Sequence, residues 1–92
     1  MIKSFRHKGL KKFFDTGSKA GIQPSHAAKL DLQLFTLDNA ITVDDADVNG
    51  WHLHPLHGTL QGYWSIRVNG SWRITFRFIG EDVEVVDYQD YH

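Results

Sequence analysis

The chain has 92 residues, 41% hydrophobic and 13% aromatic, with a net charge of −1 and no cysteine. The missing cysteines exclude disulfide or thiolate–metal stapling, so a hydrophobic core must hold the fold, and three Trp and six Phe can supply one. No apolar run approaches the roughly 18–20 residues that cross a bilayer. No export-type apolar stretch follows the basic start MIKSFRHKGLKKFF, so the expected location is the cytoplasm.

Charge is unevenly placed. Five of the ten basic residues (Lys3, Arg6, Lys8, Lys11 and Lys12) fall in the first twelve positions, while acids gather at Asp44–Asp47 and between Glu81 and Asp90. A local basic surface is therefore compatible with a near-neutral total. There is no repeat, low-complexity segment or linker, and residues 1–92 read as a single domain.

Residues 1–5 alternate weakly and suit a short first strand. From Lys8 the spacing turns helical, with Leu10, Phe13 and Phe14 at i, i+3 and i+4, and Gly17 is a natural stop. Pro24 and Ser25 open a second helix whose stripe is Ala27, Leu30, Leu34 and Leu37, widened by Leu32 and Phe35. The acidic segment Asp44–Asn49 reads as a solvated loop.

Beyond Asn49 the period becomes two. Trp51–His54 is a short strand that Pro55 ends or confines to an edge. Gly62–Val68 and Trp72–Ile79 each alternate apolar and polar residues, and Val83–Tyr88 closes the series. The order β-α-α-β-β-β-β predicts an α+β fold, with two N-terminal helices packed on a mainly antiparallel twisted sheet. They should pack through Leu10, Phe13, Phe14, Leu30, Leu34 and Leu37, burying Trp64, Ile66, Ile74 and Phe76.

Register adds more. Keeping both central strands apolar on one face requires Val68 opposite Trp72 across a three-residue loop, Asn69–Ser71. Arg67 then faces Arg73, Ser65 faces Thr75 and Tyr63 faces Arg77. Two arginines directly opposite repel. They either hold an anion between them, splay into water, or pair with Asp87 or Asp90.

Three histidines, His52, His54 and His57, surround Pro55. They could ligate a metal, although no helix aligns them. Their imidazoles also suit proton transfer near neutral pH. The ending DYQDYH adds two tyrosines, two aspartates and His92, delivered by the last strand beside the arginine face. Such a set could cleave RNA without a metal: a base for the 2′-hydroxyl, cations for the developing phosphorane charge and an acid for the leaving oxygen.

Four blocks, MIKSFRHKGL, WHLHPLHG, GYWSIRVNGSWRITFRF and VDYQDYH, together resemble the HigB toxins of the RelE/ParE superfamily, in the family's order and over essentially the whole chain. That resemblance implies a RelE-like fold and an endoribonuclease that cuts mRNA in the A site of the 70S ribosome. It implies no cofactor or metal, and a HigA-like helix-turn-helix antitoxin as partner. The site residues it implies are His54, Arg73, Asp90, Tyr91 and His92, and His57 is added to them as a candidate at the position where the sequence departs from the family. Arg67, Arg77, Lys8, Lys11 and Lys12 are the expected RNA-backbone contacts. Several relatives carry lysine after HPL, where this chain has His57, a cation only when protonated. Two other readings are a ParE-like toxin that binds DNA gyrase and cuts nothing, and a decayed toxin that only binds its antitoxin.

Overall fold

A computed structural model describes residues 1–91. The elements are α1 (Lys8–Thr16), α2 (Ala27–Asn39), β1 (His54–Pro55), β2 (Tyr63–Asn69), β3 (Trp72–Ile79) and β4 (Asp82–Asp90). Single 3₁₀ turns occupy Pro24–His26, Val43–Ala46 and Gly58–Leu60. The sheet is antiparallel throughout, in the order β1-β2-β3-β4.

α1 starts where His7 Nδ1 accepts the N–H of Leu10 at 2.9 Å. It stops at Gly17, whose φ of 80° lets its N–H reach Phe13 O. Leu10 and Phe13 turn inward and join Leu30, Leu34 and Leu37 of α2. With Ile66, Ile74, Phe76, Val83 and Val86 from the strands, these form the centre of the hydrophobic core. Three expected core residues are corrected: Phe14, Leu32 and Phe35 are exposed. Phe14 leans instead on the ring of Phe5, with centroids 5.4 Å apart. Trp64 is half-buried rather than buried.

Among the described residues there are four strands rather than the expected five. Residues 1–6 do run beside β4, but only through isolated parallel bridges at Ile2–Val83 and Phe5–Val86. Lys3 N–H donates to Val83 O and Arg6 N–H to Val86 O, both at 2.8 Å. The bridges lie three residues apart, not two, because Val85 adopts φ 55° and bulges out of line. The Trp51–His54 strand also shortens: regular pairing begins only at His54.

The central register is the expected one: Tyr63 opposite Arg77, Ser65 opposite Thr75, Arg67 opposite Arg73. The connection differs. Asn69, not Val68, pairs with Trp72, leaving a two-residue Gly70–Ser71 turn and one surplus residue between Arg67 and Asn69. This bulge absorbs the residue that a longer loop was expected to absorb, so the faces stay in phase. Gln33, fully buried on α2, donates from Nε2 to the carbonyl of Arg67 at 2.7 Å, beside the bulge.

The segment expected to be a solvated loop, 44–49, is partly built. Thr42 and Asp45 form a reciprocal cap over the Val43–Ala46 turn, and the Asp45 carboxylate accepts the N–H groups of Ile41 and Thr42. Those two donors hold its pKa below the usual carboxylate value.

Candidate active site

Directly paired residues of a sheet project to the same side, so register converts into three parallel rows on the face away from the helices. The middle row is His54, Ser65, Thr75 and Asp87. On the side of the β2–β3 turn lies the row Arg67, Arg73 and Gln89. On the other side lies Tyr63, Arg77 and Glu84. Adjacent rows are about 7 Å apart, two residues along a strand. Ser65 and Thr75 are buried at the floor of this face, among longer neighbours.

The arginines carry its charge. Ion pairs among the described residues are Met1–Asp82 and Lys11–Asp15, and neither involves Arg67 or Arg73. The first alternative for the facing arginines, an anion between them, thus keeps its physical basis. Arg73 is aimed by its own turn, Nη1 donating to Gly70 O at 2.7 Å and Trp72 O at 3.0 Å. Asp87 is engaged elsewhere, accepting from Gln89 Nε2 at 2.7 Å. Arg77 lies over the Tyr63 ring, 5.7 Å from its centroid.

His54 is exposed in the middle row, and its Nδ1 lies 2.8 Å from the carbonyl of His52. A carbonyl can only accept, so Nδ1 carries the proton and the neutral ring presents its lone pair at Nε2. His57 is not beside Arg73. It follows Leu56, whose N–H donates to Tyr63 O, and so stands beyond the Tyr63–Arg77 row.

The tail is moored at the β2–β3 turn. Ser71 Oγ donates to Asp90 Oδ1, and Tyr91 N–H donates to Ser71 O at 2.9 Å. Asp90 pairs with Trp72 and so belongs to the face opposite Arg73, while Tyr91 is exposed. His92 lies outside the described residues. Lys8, Lys11 and Lys12 are not brought to the arginine face: they line a shallow groove with Asp15 and Thr16 on the outer side of α1.

His52, His54 and His57 do not gather round a common point, and no group of three or more His, Cys, Asp or Glu among the described residues could hold a metal ion. Under the other face, Tyr88 stacks on Trp72 at 4.6 Å, and its hydroxyl sits 2.6 Å from His26 Nδ1. Burial pushes the Tyr88 phenol above its ordinary pKa, against the pull of the Gln23 N–H, and the Asp90 charge adds to the rise.

Sequence reasoning named Asp87 only as a possible partner of the arginines, without its place in the middle row, and missed Gln89 and Gln33. The signal for the first two was the alternation of β4, but the bulge at Val85 breaks the phase one would count along it.

A sheet face with paired arginines beside an open imidazole can hold an anion and move a proton next to it. Residues 3–92 match the family described as RelE-like toxins of type II toxin–antitoxin systems, HigB. The chain is also 42% identical, over the full length of both, to the endoribonuclease HigB of Proteus vulgaris. The chain belongs to the HigB-like toxin family, and as a type II toxin it has an antitoxin partner. No helix among the described residues is long and apolar enough to cross a membrane.

Proposed function

We propose that the chain is an endoribonuclease that cuts mRNA on the ribosome, with the arginine face as its active site. The observation that carries this is the placement of His54, Nε2 outward, one row from the Arg67–Arg73 pair. The full-length similarity to the endoribonuclease HigB supports the reaction class.

In the mechanism we infer, His54 Nε2 takes the proton of a 2′-hydroxyl. That oxygen attacks the adjacent phosphorus, and the bond to the 5′-oxygen breaks. Arg73 and Arg67 stabilise the charge that builds on the phosphoryl oxygens. His92 returns a proton to the leaving 5′-oxygen, giving a 2′,3′-cyclic phosphate and a 5′-hydroxyl. Asp90 acts by anchoring the tail to Ser71, and Tyr91 offers a ring for an unstacked base. His57 and Arg77 hold a neighbouring phosphate at the far end of the face. Lys8, Lys11 and Lys12 make ribosomal backbone contacts on a second surface. The antitoxin is a HigA-like helix-turn-helix protein.

The test is cleavage of mRNA by purified ribosomes programmed with the protein. Arg73→Ala should slow cleavage by roughly two or more powers of ten. Removing His92 should abolish cleavage and leave the melting temperature unchanged. Intact mRNA with the parent protein, together with inhibited DNA gyrase, would replace this reading by the ParE-like one.

A further inference from the structure

The geometry points to His52 as a positioning residue: we infer that its left-handed backbone releases one carbonyl from the β-ladder, and that this carbonyl sets the tautomer of His54. The inference deepens the proposed function and rests on it only for its consequence in cleavage.

The ladder supplies the argument. His54 pairs with Ser65, and Leu56 donates to Tyr63 O, so the residue numbers of paired partners sum to a constant along β1 and β2. Continuing that register would place His52 opposite Arg67, and the carbonyl of His52 would accept the Arg67 N–H. It does not. The Arg67 N–H donates to Trp51 O, at 2.6 Å. One residue has been inserted, and the insertion coincides with His52 at φ 52°, one of only two non-glycine residues with positive φ among those described. Trp51 is buried and fixes the chain on one side, and the paired His54 fixes it on the other.

Freed from the ladder, the His52 carbonyl takes the Nδ1–H of His54. A free imidazole favours the other tautomer, with the proton on Nε2. In that form the outward nitrogen cannot accept a proton. The backbone turn at His52 therefore holds His54 in the form a general base requires. The imidazole of His52 itself is exposed and not needed. A left-handed residue other than glycine is uncommon, although histidine tolerates it better than most side chains, and such conformations collect where geometry serves a function.

Because the device is backbone conformation and not side-chain chemistry, the variants sort by their tolerance of positive φ. His52→Gly and His52→Asn adopt it readily, whereas the β-branched His52→Val resists it. The measurement is the tautomer of His54, read from the ring nitrogen shifts in long-range ¹H–¹⁵N spectra of the full chain. The His54→Gln variant assigns the signals. The Gly and Asn variants should retain the Nδ1–H form, and the Val variant should shift toward Nε2–H. Cleavage by His52→Val should drop roughly tenfold or more and be restored by His52→Gly. If His52→Val does not fold, His52→Ala takes its place, and its Nδ1–H fraction must fall below that of His52→Gly. Equal tautomer populations across the series would overturn the inference, as would loss of the Nδ1–H form in His52→Gly. A tautomer shift without any change in cleavage would uphold the device and remove His54 from the reaction instead.

Discussion

Gln33 ties helix to sheet through one bond, its amide nitrogen on the carbonyl of Arg67 beside the β2 bulge. The Gln33 side chain is fully buried and the bond partly so, and Gln33→Leu would leave that carbonyl without this partner at a cost of about 1–3 kcal/mol in urea unfolding. Cleavage should fall beyond what lost stability explains, because the freed bulge lies beside the Arg67–Arg73 pair. Tyr88 gives a pH-dependent counterpart. Its phenol is held above the ordinary value of 10.0, chiefly by burial, so folding favours the protonated form. That contribution is complete below 10.0 and lost as pH rises toward the folded-state value, so Tyr88 should lower the urea midpoint on the alkaline side. Tyr88→Phe should flatten the alkaline fall. Of these residues, alternation in the sequence located the facing arginines, because two apolar sets had to share one side. It could not locate Gln33, a polar side chain on an apolar helical stripe, since nothing local announces the carbonyl it meets.

At the level of elements, α1 meets the following loop at two glycines. A Cβ on Gly9 would stand 2.6 Å from Gly21 O, and one on Gly21 would stand 2.5 Å from Gly9 Cα. Both obstacles are backbone, so neither can swing aside. Gly9→Ala and Gly21→Ala should each destabilise by about 1–3 kcal/mol, read as a lower melting temperature. Both helices were legible from their 3.6 period, and Gly17 from its place as a stop. The exposure of Phe14, Leu32 and Phe35 was not, because a stripe of hydrophobic residues shows which helix is amphipathic but not how wide a strip its neighbours cover. The strand ends were misjudged for a related reason. Bulges at Val68 and Val85 and the inserted residue at His52 each shift phase by one, and a period-two pattern carries no mark for an inserted residue.

For the whole molecule, the site proposed on the arginine face is compatible with a net charge of −1, since Arg67 and Arg73 stand together while many of the acids lie elsewhere, at Asp44–Asp47 and Asp82. The two margins of the sheet have a different consequence. β1 is two residues long and includes a proline, and β4 is flanked by residues 1–6 through the bridges at Ile2 and Phe5. Sheets left open at such margins recruit strands from other molecules. Lys3→Pro combined with Arg6→Pro would remove two of the three N–H groups that donate to Val83 O and Val86 O, leaving only the longer one from His7, and should raise light scattering at concentrations where the parent chain stays clear. With β4 flanked and β1 short and interrupted by a proline, neither margin offers a foreign backbone a long strand to extend. A backbone that pairs with β4 has first to peel the N-terminal segment away from it.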